Sequence, residues 1–355
     1  MGASVFSHLL FVLFAVCGIQ VGFCWGRGSG RDFIDWDDLS MVDDLGKLDS
    51  VKERRGLILV SKDGNGDART VQDAVNMVPD WNVERVKIII RPGIYREKVV
   101  VPVTKSYISF IGEDSSRTVI SWNSRASDRN GNGQPVGTFN TATVAIEADF
   151  FCAHGITFEN TAPTPLPGAE GQQAVAVRIS GDKSMFYRCK ILSSQDTLFD
   201  HNGRHYFYQT YIQGSVDFIF GHGRSLYQDC TLHAIASSYG AIAASQRDKP
   251  TEDSGFSFIH CNLKGSGSVY LGRAWGRYAT VIYSYCNFED IINPEGWHDW
   301  GDPSRRRTVL FGEFNCTGGG ADSRWRVPWA KSFSYEEAKP FMGRRFIDGD
   351  VWLKL

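Results

Sequence analysis

Short apolar runs, broken every few residues by Gly, Asn, Asp and Ser, dominate the chain after residue 56. Such runs are typical of short β-strands joined by tight turns. Residues 87–90 (Lys-Ile-Ile-Ile) predict a buried strand, and Pro92-Gly93 a turn after it. Residues 70–78 differ, because apolar positions 71, 74, 75 and 78 share one helical face before Pro79. The pattern predicts an all-β chain whose first coil is capped by a short helix.

Five cysteine segments resemble one another and suggest an internal repeat. In each, an aromatic or aliphatic residue shortly precedes the cysteine, and in the last four an apolar residue follows two positions later. The five are Cys152, Cys189, Cys230, Cys261 and Cys286. Their spacings of 37, 41, 31 and 25 residues fit one or two units of a solenoid. With the thiols facing inward, we predict a parallel β-helix with reduced cysteines. The alternative is that Cys and aromatic residues merely occupy buried strands.

Two acidic residues interrupt otherwise apolar strands. Asp196 lies in Gln-Asp-Thr-Leu (195–198) and Asp217 begins Asp-Phe-Ile-Phe-Gly (217–221), 21 residues later. One solenoid turn of that length would place them on neighbouring coils about 5 Å apart. Carboxylates so close do not share one pKa, because one holds a proton while the other stays ionised. The pair predicts acid/base or nucleophilic chemistry.

Further side chains could complete such a site. Arg273, in Leu-Gly-Arg-Ala-Trp (271–275), could hold one carboxylate ionised through a two-pronged ion pair. Trp275 offers a flat face for a sugar ring, and Gln173 and Gln195 offer neutral amide donors for an oxyanion. Each residue alone is more typical of surface, packing or turn roles, so the hypothesis depends on their combination.

Other chemistries find little support. There is no Gly-x-Ser-x-Gly elbow, and Gly64-Asn65-Gly66 lacks the third glycine of a dinucleotide-binding loop. Asp200, His201, His205 and His222 match no zinc-ligand spacing, so we predict neither a metal nor a cofactor.

The apolar run at the N-terminus predicts a secreted protein. Residues 4–24 contain no charged side chain and predict a secretory signal peptide at 1–24, with an uncleaved anchor as the alternative because no Lys or Arg precedes the run. Asn315 is in a glycosylation sequon. Residues 25–55, which end at the dibasic Arg54-Arg55, predict a flexible lead-in to one catalytic domain at 56–355. The formal net charge of −2 gives no case for nucleic-acid or membrane binding. The basic run at 305–307 is interpreted as solvated surface rather than as a binding site for an acidic polymer.

In order along residues 57–350, five segments resemble plant pectin methylesterases. They are residues 93–97 (Gly-Ile-Tyr-Arg-Glu), 173–176 (Gln-Ala-Val-Ala), 195–198, 217–221 and 271–275. The resemblance implies a right-handed parallel β-helix that hydrolyses C6 methyl esters of homogalacturonan in the cell wall. It also implies an Asp217 nucleophile, an Asp196 general acid and base, oxyanion binding by Gln173 and Gln195, and substrate contacts from Thr138, Gln173, Arg273 and Trp275.

The sequence departs from the family's pattern at three places. Ala274 stands where the family often has Pro, and Thr210 stands where many members have a Cys bonded to the equivalent of Cys230. Residues 25–55 are too short for the inhibitor-like helical pro-region of many members. The chain therefore resembles the short members, and the finer match considered is the quartet type linked to pollen tetrad separation. We expect the protein to be a monomer and to be a target of a proteinaceous pectinesterase inhibitor.

Two other functions remain open on the residues alone. One is a catalytically silent pectin-binding protein on the same scaffold, and the other is a β-helix glycosidase or lyase acting on polygalacturonan. An esterase would release methanol without shortening the polymer, whereas a glycosidase or lyase would create new chain ends.

Overall fold

The computed structural model describes residues 32–41, 56–164 and 169–355, so the predicted signal peptide at 1–24 lies outside it. Every strand pairing among the described residues is parallel. Successive coils contribute one strand to each of three faces, and this is the predicted parallel β-helix. Among the described residues no helix has the length and apolarity needed to cross a membrane.

The first face is a continuous sheet that runs the length of the solenoid. Its strands, in order, are β2 (Leu57–Val60), β3 (Val86–Ile90), β6 (Ile108–Gly112), β9 (Cys152–His154), β12 (Ser184–Tyr187), β15 (Arg204–Tyr208), β18 (Arg224–Gln228), β20 (Gly255–Ile259), β22 (Thr280–Ser284), β25 (Leu310–Phe314) and β26 (Lys331–Ser332).

The second and third faces are joined by two long strands, β19 (Thr231–Ser245) and β21 (Asn262–Arg273), each of which runs through both. The second face contains β4 (Gly93–Arg96), β7 (Thr118–Trp122), β10 (Thr157–Asn160), β13 (Lys190–Leu192), β16 (Tyr211–Gly214) and β23 (Asn287–Phe288). The third face contains β5 (Val99–Val101), β8 (Val144–Ile146), β11 (Val177–Ile179), β14 (Leu198–Asp200), β17 (Ile219–Gly221) and β24 (Trp297–His298).

Short helices and an extra strand pair lie around this solenoid. They are β1 (Ile34–Asp35), β27 (Leu353–Lys354), α1 (Trp36–Leu39), α2 (Val71–Met77) and α3 (Tyr335–Ala338), with 3₁₀ helices at Thr138–Thr141, Pro303–Arg307, Gly319–Ala321, Ser323–Trp325, Lys339–Phe341, Arg344–Ile347 and Gly349–Val351. The helix predicted at residues 70–78 is confirmed as α2.

Helix α2 caps one end of the solenoid core. The Thr70 side chain accepts a hydrogen bond from the Asp73 N–H (3.0 Å), and the Glu97 carboxylate accepts from the Val71 and Gln72 N–H groups (2.9 Å each). These contacts satisfy backbone donors that the first turn of a helix leaves free. The apolar face that the sequence predicted, at positions 71, 74, 75 and 78, is buried against the core.

Stacked side chains fill the interior between the faces. Phe207, Tyr227, Phe258 and Tyr283 stack on successive coils with ring centroids 4.5–4.6 Å apart. Offset aromatic stacking adds to the hydrophobic stabilisation of such a core. The register of parallel strands repeats the same kind of residue at the same point of each coil, which explains the imperfect repeat in the sequence.

The cysteine column is confirmed for four of the five repeat segments. Strand register aligns Cys189, Thr210, Cys230, Cys261 and Cys286 at one interior corner between the first and second faces. The residue before each has a left-handed backbone, with φ between 49° and 54°, which turns the chain at that corner. The five side chains that follow these turns are all buried, and all of them are small.

Cys152 was wrongly grouped with this column. It pairs with Met185 within the first face and packs in a separate cluster beneath the terminal segments. Aromatic residues precede Cys152 as they precede the other cysteines. Cys152, however, lies in strand β9 of the first face and not at the corner between the first and second faces. All six cysteines of the described residues are free thiols, whereas the sequence predicted reduced thiols for most of them.

Part of the predicted lead-in is packed rather than loose. Strand β1 pairs with β27, and Ile34 and Leu39 are buried in an apolar cluster with Trp352 against the first face. Burying these apolar side chains holds residues 34–39 on the solenoid. Residues 42–55, including Arg54-Arg55, lie outside the described residues.

Candidate active site

Strand register brings the two predicted aspartates together on the third face. Leu198 pairs with Ile219, and the Asp196 N–H donates to the Val216 carbonyl (3.2 Å). Asp196 and Asp217 therefore occupy the same position on neighbouring coils, which lie about 4.8 Å apart. The predicted one-turn separation is confirmed.

Both aspartates have an unusual backbone conformation. Their φ angles are 55° for Asp196 and 47° for Asp217, in the left-handed region that non-glycine residues rarely adopt. Aspartate tolerates this region better than most residues because its short side chain can bond locally. Such strain often accompanies functional sites. Here it bends the chain just before β14 and β17 on adjacent coils.

Arg273 binds Asp217 with a two-pronged ion pair. Its Nε donates to Asp217 Oδ1 (2.8 Å), and its Nη2 donates to Asp217 Oδ2. The remaining Nη1 donates to the Tyr239 hydroxyl (3.3 Å), and the guanidinium carbon lies 4.1 Å from the centre of the Trp300 ring. Three groups thus fix this arginine, and of the two aspartates only Asp217 accepts hydrogen bonds from it.

The two carboxyl groups are electrostatically unequal. Burial raises the pKa of Asp196 well above its usual range, and the charge of Asp217 raises it further. Burial also raises the pKa of Asp217, but the hydrogen bonds and charge of Arg273 oppose that rise. Because only Asp217 forms the ion pair with the arginine, it ionises more readily than Asp196. The arrangement therefore favours the charged form of Asp217 over the charged form of Asp196.

A cleft of about 460 Å³ opens over this pair. Its lining includes every site residue predicted from sequence, namely Thr138, Gln173, Gln195, Asp196, Asp217, Arg273 and Trp275. A volume of this size suits a small ligand or one segment of a polymer. The structure therefore brings all seven predicted residues to one cavity.

The two glutamines reach the cleft from adjacent coils. The Gln173 carbonyl accepts from the Ala126 N–H (2.9 Å), and the Gln195 carbonyl accepts from the Ala174 N–H (3.0 Å). Within the described residues, the Gln173 side-chain amide has no partner and is available to a ligand. A side-chain hydrogen bond from Gln195 to Asp196 opposes the rise in the pKa of that carboxyl group. Both amides are therefore in the cleft with the dyad, as oxyanion donors must be.

The sequence did not reveal the aromatic walls of the cleft. Phe199 and Phe220 stack with centroids 4.3 Å apart, Phe220 lies 6.0 Å from Trp275, and Trp275 lies 6.4 Å from Trp300. Phe139 also lines the cavity. Phe199 and Phe220 each occupy the second position of a strand, β14 and β17, on successive coils, so the register that pairs the aspartates could have predicted them. Trp300 carries no such signal because it follows a short strand.

The residues considered as metal ligands are dispersed into separate contacts. Asp200 and His205 form a fully buried pair (2.5 Å), and the Tyr227 hydroxyl donates to the other Asp200 oxygen (2.5 Å). His201 contacts Ser180 (3.0 Å), and His222 lies near Glu252 (3.6 Å). No cluster of three or more His, Cys, Asp or Glu side chains suited to a metal occurs in the described part of the chain.

Comparison with known proteins identifies the family. Residues 57–350 match the family model described as Pectinesterase. The chain is also 53% identical to the Arabidopsis thaliana protein "Pectinesterase QRT1", over 98% of this chain and 96% of that protein. This chain belongs to the pectinesterase family. It is accordingly a carboxylic-ester hydrolase of the pectin methylesterase type.

Solved pectinesterase structures share the fold. "Pectin methylesterase from Carrot" has 37% sequence identity and a TM-score of 0.76, with 84% of this chain and 94% of that chain covered. A pectin methylesterase from Aspergillus niger has 28% identity and a TM-score of 0.71, with coverage of 84% and 95%. The predicted parallel β-helix is confirmed by these pectinesterase neighbours and by the strand pairing.

Proposed function

We propose that this pectinesterase removes C6 methyl esters from homogalacturonan and releases methanol, with Asp217 as nucleophile and Asp196 as general acid and base. The observation that carries this assignment is the unequal environment of the dyad. Arg273 donates hydrogen bonds to both carboxylate oxygens of Asp217, whereas no cation of the described residues forms an ion pair with Asp196. An ionised carboxylate can attack, and a protonated one can donate.

In the first half-reaction, the Asp217 carboxylate attacks the ester carbonyl carbon. The carbonyl oxygen takes up the displaced electron pair, and the amides of Gln173 and Gln195 stabilise the resulting oxyanion. As the tetrahedral intermediate collapses, the bond to the methoxy group breaks and Asp196 gives its proton to the departing oxygen. Methanol leaves, and the substrate acyl group remains joined to Asp217 as an anhydride.

In the second half-reaction, the roles of Asp196 reverse. Its carboxylate, now deprotonated, takes a proton from a water molecule that attacks the acyl carbon. The bond to Asp217 breaks, the polymer leaves as a carboxylic acid that gives its proton to the solvent, and both aspartates return to their starting states. One water is consumed for each methanol released, so no cofactor is required by this sequence of steps.

The aromatic walls support a polymeric sugar substrate. Trp275, Trp300 and Phe139 present flat apolar faces around the dyad, and Thr138 adds a polar contact in the cleft lining. An open cleft on the side of a solenoid can admit the middle of a long chain. We further propose secretion to the cell wall after signal removal at residue 24, glycosylation of the exposed Asn315, action as a monomer and control by a proteinaceous inhibitor.

The experiment that tests this function measures three products from one incubation with highly methylated homogalacturonan. We expect methanol and titratable carboxylate in equal amounts, with no increase in reducing ends or unsaturated products. Cleavage of the polymer without stoichiometric methanol would show a glycosidase or lyase instead. Binding without any product would show a catalytically silent protein.

A further inference from the structure

The basic run at 305–307 is divided into paired and unpaired arginines. Arg305 contacts Asp302 (3.2 Å), and Arg306 contacts Asp299 (2.7 Å). Arg307 has no ion-pair or hydrogen-bond partner for its guanidinium among the described residues, and neither has Arg277. Both side chains are exposed. Two arginines are therefore left with their full binding capacity.

These two unpaired arginines share one pocket. Arg277 and Arg307 line a concavity of about 500 Å³, together with Tyr278, Ser304 and Thr308. The described residues of its lining include no carboxylate. A guanidinium binds a carboxylate through parallel N–H···O bonds, and two guanidinium groups in one pocket create a positive local potential. The pocket therefore suits an anion. The Ser304 hydroxyl donates to Asp302 and the Thr308 hydroxyl to the Arg277 carbonyl, so both oxygens can only accept from hydroxyl groups of that anion.

The pocket adjoins the catalytic cleft. Arg305, from the same short helix as Arg307, donates through Nη1 to the Ala274 and Trp275 carbonyls (2.5 Å each), and Thr308 donates to the Arg277 carbonyl. The chain segment that places Trp275 in the cleft thus continues directly into the pocket at Arg277. Because Trp275 lines the cleft and Arg277, two residues later, lines the pocket, the two concavities are neighbours on the surface.

We propose that the pocket formed by Arg277 and Arg307 binds a free uronate carboxylate of the same pectin chain whose ester lies in the cleft. This inference rests on the proposed function, since the reaction converts neutral esters into such carboxylates. A substrate already de-esterified on the side of Trp275 would gain an ion pair that a fully methylated one lacks. The preferred substrate is therefore partly de-esterified homogalacturonan.

The test compares wild type with the double variant Arg277→Gln, Arg307→Gln. As a matched control, Arg345→Gln removes an exposed arginine that pairs with Asp350 elsewhere on the surface. Calorimetry at low salt would measure binding of an unesterified oligogalacturonate. We expect about tenfold weaker binding for the double variant, no such loss for the control, and a smaller difference at high salt. Thermal unfolding of each protein checks that the fold is retained.

Methanol release separates this inference from the proposed function. On fully methylated substrate, the double variant should match wild type, whereas on partly de-esterified substrate its KM should rise about tenfold. Equal binding by wild type and double variant, or an equal loss in the Arg345→Gln control, would overturn the pocket assignment. Wild type that releases no methanol from either substrate would instead overturn the proposed function.

Discussion

At the residue scale, the important feature is that one of two adjacent aspartates forms an ion pair with an arginine and the other does not. Sequence spacing was sufficient to predict that Asp196 and Asp217 meet, because parallel coils repeat at a fixed length. It was not sufficient to show which oxygen atoms Arg273 contacts. Nor could it show that Tyr239 and Trp300 hold that arginine, since both come from distant strands or loops.

Removing Arg273 should change the pH dependence of catalysis. Burial raises the pKa of Asp217 and Arg273 opposes the rise, so Arg273→Gln should raise that pKa further. The nucleophile is active when ionised, and activity lost on acidification should therefore be lost at higher pH in the variant. We expect the acidic limb of the kcat/KM profile to move upward and kcat/KM at neutral pH to fall about 100-fold.

The control for that pH profile is Arg204→Gln. Arg204 donates two hydrogen bonds to the carboxylate of Asp182, outside the cleft, so the variant removes a similar ion pair. The acidic limb of Arg273→Lys should lie between those of wild type and Arg273→Gln. Lysine keeps the positive charge but cannot donate two parallel hydrogen bonds to one carboxylate. An unchanged acidic limb in Arg273→Gln would contradict the assignment of Asp217 as the ionised partner.

At the element scale, helices and strands were predictable where the spacing of apolar residues agreed with the position of the turn residues, as for α2 and β3. The corner before each residue of the interior column was not predictable, because Arg188, Gln209 and Tyr285 adopt positive φ without any local preference for it. Packing of the solenoid imposes that turn. For Cys152 the local sequence gave a wrong prediction. Its sequence resembles that of the column cysteines, but it lies within a strand of the first face.

Thr210 offers a test of the interior column. Register places it between Cys189 and Cys230 on adjacent coils, where the separation of parallel strands suits a disulfide. Thr210→Cys should therefore form an oxidisable pair with one of these neighbours. A closed loop of this size should stabilise the protein by about 3 kcal/mol, measured as a rise in Tm that a reductant reverses.

Thr210→Ser is the matched control, because it keeps a hydroxyl at the same position and cannot form a disulfide. Peptide mapping of the oxidised variant would identify the bonded pair. If the introduced thiol stayed reduced under oxidising conditions that leave the fold intact, the stacking of this column would be wrong.

At the scale of the whole molecule, the core contains a hydrogen-bonded network that the mechanism does not use. His205 is fully buried between Asp200 and the Gly181 carbonyl (2.9 Å). Burial lowers the pKa of His205, but the charge and hydrogen bond of Asp200 outweigh it, so the net shift is upward. The sequence suggested Asp200 and His205 only as possible metal ligands and gave no sign of this pair.

This network should make global stability depend on pH. A histidine whose folded pKa is raised contributes stability that is fully present below its unfolded pKa of about 6.5. That contribution is lost as pH rises through the folded pKa. The difference in unfolding free energy between wild type and His205→Gln should therefore shrink with rising pH, as measured by urea unfolding. A difference that is constant or grows with pH would contradict the charged pair.

The fold of the molecule was more predictable than its surfaces. Repeat spacing and the resemblance at residues 57–350 were enough for the β-helix and for seven cleft residues. The docking of residues 34–39 on the C-terminal segment was not, because its strand pairing joins opposite ends of the chain. The division of the basic run into paired and unpaired arginines also depends on contacts that only the folded chain creates.

The central claim is that the Asp217 carboxylate attacks the ester, and Asp217→Asn tests it most directly. The matched control is Asp182→Asn, which weakens another aspartate–arginine fork outside the cleft lining. Initial rates of methanol release from methylated homogalacturonan would be compared for proteins with the same Tm. We predict that Asp217→Asn loses at least about 10⁴-fold in rate while the control retains wild-type activity. Methanol release by Asp217→Asn within about tenfold of wild type would contradict the account.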